Sequence, residues 1–270
     1  PVILSNVLPV IEDMGLRVIS EEPFSVTPEH SDKPVWIYDF LMEIDGGGQI
    51  ENFYDVKWLF EDALFHVWYE AAASDRLNKL VLTAGMSWRD VVILRTYVRY
   101  MRQMRFHLGV SYINETLASH PKISRELVRL FKALHDPEKQ KESDIEAAGC
   151  AVAIDHALED VSAIDEDHIL RTVYNLIDAT LRTNNFQKDK DGNYKAGMAI
   201  KLDSQKIKDL PLPKPYREIF IYSTRVEGIH LRGDKIARGG LRWSDRPDDF
   251  RTEILGLMKA QQVKNAVIVP

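Results

Sequence analysis

Cysteine is almost missing: Cys150 is the only one in 270 residues. A lone thiol closes no intrachain disulfide, so no covalent scaffold is expected, and a reducing compartment, the cytoplasm, fits. Cys150 lies between Gly149 and Ala151 and reads as a small buried hydrophobe. No apolar run reaches the ~18 residues that a membrane span needs, so no membrane partner is expected. Positive charge is in deficit, with 35 Lys and Arg against 41 Asp and Glu for a net charge of -6. A broad polyanion-binding surface is thereby excluded, and nucleic acid is not expected as a partner; any anion recognition must be local. The histidines show no H-x-x-x-H spacing, so no metal site is expected, and His230, in a strand before a turn, is the one to watch. Neither G-x-G-x-x-G nor G-x-x-x-x-G-K-[ST] occurs, so these residues offer no nucleotide cradle. The opening PVILSNVLPV carries no basic segment ahead of its apolar run.

What is present suits a water-facing α+β protein with a sizeable core: 45% hydrophobic and 28% charged residues. Val7 to Met14 suit one face of a short helix stopped by Gly15. LRVISEEPFSV reads as a strand broken at Pro23, and VWIYDFLMEI as a second strand leading to the flexible DGGGQ. Residues 50–180 read as mostly helical. Val56, Leu59, Phe60, Ala63, Leu64, Val67 and Trp68 recur at helical spacing, and Ser87 with Asp90 predicts the capped start of another helix. Val110–Leu117 and Ser124–Leu134 add two more helices. Arg95, Arg99, Arg102 and Arg105 form a stripe that reads as a solvated or interdomain face in preference to an anion site. His135–Gly149 reads as a polar surface loop running into the next helix, and the stretch from Asp165 through Leu181 as one amphipathic helix. Strands follow from about 185. The stretch from Arg217 to Ser244 is expected to hold two strands joined through RGDK, before a last helix capped by Ser244–Asp245 and a last strand. The helix and two strands at the start are less than a closed domain, and the strand pattern QVKNAVIVP ends without a cap. Both ends are therefore expected to continue into further chain.

One stretch carries candidate chemistry: KIARGGLRWSDR, residues 235–246. Gly239–Gly240 permits a close approach to the main chain. Arg238 and Arg242 flank it, and a guanidinium grips a carboxylate or phosphate with two parallel hydrogen bonds. Lys259 and Lys264 follow on the next helix and at its exit. A hairpin with exposed arginines is the plainer reading, and it suits Arg232 and Lys235 better than Arg238 and Arg242.

Residues 225–270 resemble the start of the catalytic region of the large bacterial NAD-specific glutamate dehydrogenases. LPVIEDMGLRVISEEPFSV, LNKLVLTAGMSWRDVVILRTYVRYMRQ and DEDHILRTVYNLIDATLRTNNFQ are similar to that family in the same order. The resemblance implies three parts: the C-terminal part of an ACT-like domain (1–48), a helical region (49–165) and the N-terminal part of a mixed α/β glutamate-binding catalytic domain (166–270). It implies oxidative deamination of L-glutamate to 2-oxoglutarate, in glutamate catabolism, with NAD held by a Rossmann domain outside this chain. In the family's K-G-G-[ILV]-R pattern the lysine touches a substrate carboxylate; Arg238 takes that place here, followed by Gly239, Gly240, Leu241 and Arg242. A second substrate lysine corresponds to Lys264, with Lys259 the alternative. The catalytic lysine is expected just after Pro270, so residues 1–270 alone are expected to be inactive. A homo-oligomer is implied for the complete protein. Two other readings stay open: a regulatory or interdomain scaffold without its own ligand, and a stand-alone anion-binding protein.

Overall fold

The structure is a computed structural model that describes residues 3–30, 33–46, 53–138, 143–235, 239–245, 249–261 and 265–268. The chain divides into two compact units, 1–91 and 92–270.

In the first unit, helix α1 (Leu4–Asp13) precedes a two-stranded antiparallel ribbon, β1 (Leu16–Val26) and β2 (Val35–Ile44). Gly15 makes the turn between α1 and β1 with φ +83°, a backbone geometry that an L side chain rarely tolerates. Pro23 does not break β1. It pairs with Tyr38 inside the ribbon, and proline is tolerated where a strand has one edge free. Helices α2 (Phe53–Trp68) and α3 (Leu80–Ala84) follow, with a 3-10 turn at Arg76–Lys79 between them. Ile11, Leu16 and Leu82 form a small core here with Val7, Val18, Phe40, Ile44, Val56 and Phe60 around them. Much of the ribbon stays exposed, including Trp36, Ile37 and Leu41.

Helix α4 (Trp88–Gln103) begins as the sequence predicts: the Asp90 amide donates to Ser87 Oγ at 3.2 Å, and the Ser87 amide donates to Asp90 Oδ2 at 3.3 Å. Helices α5 (Val110–Ser119), α6 (Pro121–His135), α7 (Ser143–Leu158) and α8 (Ile164–Asp178) follow. Helix α7 starts inside the stretch expected to be a loop, and it buries Cys150 and Ile154. Helix α8 ends earlier than expected, because Leu181 belongs to strand β3 (Thr180–Thr183).

Strands β3, β4 (Met198–Leu202), β5 (Arg217–Tyr222), β6 (Glu227–Arg232), β7 (Gly239–Ser244) and β8 (Asn265–Ile268) form one sheet in that order. The pairs from β3 to β7 are antiparallel, whereas β7 and β8 run parallel, joined by helix α9 (Phe250–Gln261). Three strands, not two, fill 217–244. The break between β5 and β6 is a turn without glycine or proline, closed by Ser223, whose amide and hydroxyl both donate to the Val226 carbonyl at 3.0 Å.

Strand alternation sends Ile200, Phe220 and Ile229 to the same side of the sheet. Helix α4 packs on that side: the Tyr100 and Phe220 rings lie 5.7 Å apart, and Thr96 Oγ1 lies 3.4 Å from Met198 Sδ.

Candidate functional site

The glycine doublet opens β7. Gly239 pairs with Arg232 of β6 on one side and with Asn265 of β8 on the other. Gly240 pairs likewise with Leu231 and Ala266. Lys264 directly precedes Asn265 in the sequence, as Arg238 directly precedes Gly239; both cations lie outside the described residues. Lys259 belongs to the last turn of α9, and its side chain is likewise outside them. The register therefore brings together the two backbone positions that adjoin the predicted cations. Gly239 has a second reason to be glycine: a Cβ there would sit 2.2 Å from the Leu231 carbonyl oxygen. Side-chain absence at this position serves the approach of two strands.

Arg242 is engaged within the fold. Its Nη1 pairs with Glu253 Oε2 of α9, and its guanidinium carbon lies 5.9 Å from the centre of the Phe250 ring. Arg232 braces its own turn by donating to the carbonyl oxygens of Asp234 and Lys235. His230 is half-buried, and burial together with Arg232 lowers its pKa. The cap of α9 is Asp249, not Ser244–Asp245. Its Oδ1 accepts from the Thr252 amide at 3.2 Å, while Ser244 is spent in β7.

Where α4 meets strands β5 and β6 lies a polar cluster that composition and spacing did not reveal. Glu218, fully buried, accepts from Tyr100 Oη at 2.9 Å and from Arg251 Nε and Nη2 at 2.8 and 2.6 Å. Arg251 and Tyr100 are buried with it. Burial, then the Glu218 charge, holds the Tyr100 phenol well above its ordinary pKa. A second carboxylate, Glu227, pairs through Oε1 with Arg99, and its buried Oε2 has no partner among the described residues. Burial raises the Glu227 pKa against the opposing pull of Arg99. The arginine stripe is thus largely internal along α4, where Arg95 is buried and Arg99 meets β6, while Arg105, just past the helix and exposed, meets Asp249 at 2.6 Å.

Residues 153–270 match the family described as bacterial NAD-glutamate dehydrogenase, catalytic domain. Residues 72–137 match glutamate dehydrogenase, helical motif 3, and residues 1–53 match glutamate dehydrogenase, ACT3 domain. The chain belongs to the NAD-specific glutamate dehydrogenase family. It is 49% identical to the NAD-specific glutamate dehydrogenase of Halomonas elongata and 47% identical to that of Pseudomonas aeruginosa, in both cases over 100% of this chain. The Mycobacterium tuberculosis enzyme is 46% identical over 99% of the chain. The chain spans 16–17% of the length of these three relatives.

Against this family background the dinucleotide can be tested on the residues themselves. The β7–α9–β8 crossover is the one parallel unit among the described residues. The sequence between its strand and its helix reads DRPDD, without glycine and with three aspartates, which would repel a pyrophosphate. These residues do not fit NAD. No described helix is long and apolar enough to cross a membrane, and no described cluster of His, Cys, Asp and Glu could hold a metal ion. In the first unit, α1, β2 and α2 line an apolar groove of about 470 Å³, with Phe40, Phe60 and Trp68 on its walls.

Proposed function

We propose that this chain forms the glutamate-recognising side of an oxidoreductase. The reaction takes L-glutamate, water and NAD⁺ to 2-oxoglutarate, ammonium, NADH and a proton. The observation that carries the reading is the β7/β8 register, Gly239 beside Asn265, because each partner adjoins a predicted cation. Glutamate carries two carboxylates, so its site needs two fixed positive groups. Arg238 offers a two-pronged grip, and Lys264, with Lys259 as the alternative, offers a compact charge. Gly239 and Gly240 keep the main chain between them free of side chains. Arg242 belongs to the set through its hold on Glu253, which ties β7 to α9.

In this reading the acid–base lysine and the NAD-binding domain lie on polypeptide outside these 270 residues. Residues 1–48 form part of an ACT-like domain, 49–165 a helical region and 166–270 the start of the catalytic domain. The complete protein is a cytoplasmic homo-oligomer. A second reading, an interdomain scaffold without a ligand, draws on the ties of Arg99 to β6 and of Arg105 to Asp249.

Steady-state kinetics on a polypeptide of the relatives' full length separate the two readings. Arg238→Ala and Lys264→Ala should each raise KM for glutamate by roughly tenfold or more, the worth of one lost charge-assisted hydrogen bond, and leave KM for NAD in place. Lys259→Ala tests the alternative lysine. Unchanged glutamate saturation in all three variants favours the scaffold.

A further inference from the structure

We propose that the Tyr100–Glu218–Arg251 cluster positions α9, and through it the cations that follow, so that a side chain of the helical region governs how tightly glutamate binds. This inference rests on the functional reading above.

The first turn of α9 is tied down by directional contacts. Arg251 sets both guanidinium prongs on Glu218 of β5, at 2.8 and 2.6 Å. Its amide donates to Gln103 Oε1 of α4 at 3.2 Å. Tyr100, one turn earlier on α4, donates to the same Glu218 at 2.9 Å. Asp249, just before the helix, meets Arg105 at 2.6 Å. Two charges taken fully out of water are a poor way to add stability, since apolar residues of the same volume serve as well or better. What a forked ion pair supplies is orientation.

Orientation matters because of where α9 leads. The helix carries Lys259, and the chain from its end enters β8 through Lys264. From Arg251 to Gln261 the helix is about 15 Å long at 1.5 Å per residue, so a tilt of ~5° at its start displaces its far end by ~1.3 Å. Misplacement on that scale costs up to about a hundredfold in a site that depends on geometry. Tyr100 touches no substrate in this account; it is a positioning residue that acts through Glu218.

A matched control lies three residues away on the same helix. Tyr97 is equally buried, and its hydroxyl bonds Thr180 Oγ1 at 2.8 Å, on β3 at the far side of the sheet. Tyr97→Phe and Tyr100→Phe each delete one buried hydroxyl hydrogen bond, but only the second leads to α9. In the full-length enzyme, Tyr100→Phe should raise KM for glutamate roughly three- to tenfold, with kcat within about twofold and KM for NAD unchanged, whereas Tyr97→Phe should leave KM for glutamate within about twofold. A milder variant, Arg105→Asn, loosens the Asp249 tie while suiting the positive φ of 57° at that position, and should move KM for glutamate in the same direction. Equal KM values for Tyr97→Phe and Tyr100→Phe, whether raised or not, overturn the inference. Lys264→Ala and Arg238→Ala, measured alongside, report separately on the substrate site: if they raise KM while the two tyrosine variants match, the positioning role alone fails.

Discussion

Gly239→Ala and Gly256→Ala make the same chemical change and should have opposite effects. At Gly239 the added methyl would lie 2.2 Å from the Leu231 carbonyl oxygen and 3.4 Å from Arg232 Cα, both backbone atoms of the adjoining strand. An ordinary carbon–oxygen contact is more than an ångström longer, so β6 and β7 must part locally by about that much. Ladder hydrogen bonds near 2.9 Å stretched by ~1 Å are lost as hydrogen bonds. Losing one or two of them, and leaving a carbonyl short of a donor, costs about 2–4 kcal/mol. Gly256 lies on an exposed face of α9, and a Cβ there meets nothing within 4 Å. Alanine at that helical position should stabilise by about 0.5–1 kcal/mol. Urea unfolding followed by circular dichroism measures both: midpoints should shift in opposite directions with m unchanged. Hydrogen exchange at the Leu231 and Gly240 amides should quicken in Gly239→Ala alone. If Gly239→Ala stays within ~0.5 kcal/mol of the parent, the close strand approach is not what requires glycine there, and the doublet would answer to ligand access alone.

Three further outcomes are expected. Burial pushes the His135 imidazole down to about 4, and its Nε2 is buried with no partner among the described residues. The native state therefore binds fewer protons than the unfolded chain, so this group's contribution is complete above pH ~6.5 and lost as the pH falls toward 4, by at most about 3 kcal/mol. Melting temperatures at pH 7 and pH 5 should converge in His135→Leu; an unchanged difference would show that another group causes it. Glu218→Gln leaves Arg251 charged and buried, costing about 3–5 kcal/mol, and the double variant Glu218→Leu/Arg251→Met should recover most of it. Denaturant midpoints that show no recovery would mean that the ion pair is needed for stability after all. Finally, residues 1–270 expressed alone should show no glutamate-dependent NADH formation at 340 nm; measurable turnover would place the acid–base lysine and the dinucleotide site within this chain.

How far the sequence could be read depended on whether the signal was local. Ser87 and Asp90 lie three residues apart, and their reciprocal cap forms as the pattern predicts. Gly15, the strand of Val35–Ile44 and the last helix were legible for the same reason. Glu218 and Glu227 were hidden because their partners are distant: Arg251 lies 33 residues from Glu218, and Arg99 lies 128 from Glu227. A clue existed. Glu218 shares the inward alternation of Phe220 and Tyr222, and Glu227 that of Ile229 and Leu231, so each carboxylate stands in an apolar register where only a buried partner makes it tolerable. Leu181 was assigned to a helix because apolar spacing alone does not show where the chain turns into an edge strand. The β5–β6 boundary was invisible since Ser223 closes that turn by side-chain hydrogen bonding, without glycine or proline. At the candidate site the glycine doublet stood out in the sequence, but the methyl-sized gap that Leu231 fills depends on strand pairing.

The β1–β2 ribbon has a consequence for handling the protein. Two twisted strands enclose no interior, so Trp36, Ile37 and Leu41 face solvent among Glu22, Asp39 and Glu43. Glu43 is paired with Arg17, while Glu22 and Asp39, opposite each other in the ribbon, are charges of the kind that guard an exposed strand face against association. Removing charge from this face, as in Glu22→Val with Asp39→Val, should therefore make the protein adhesive and yield precipitate in place of dispersed protein.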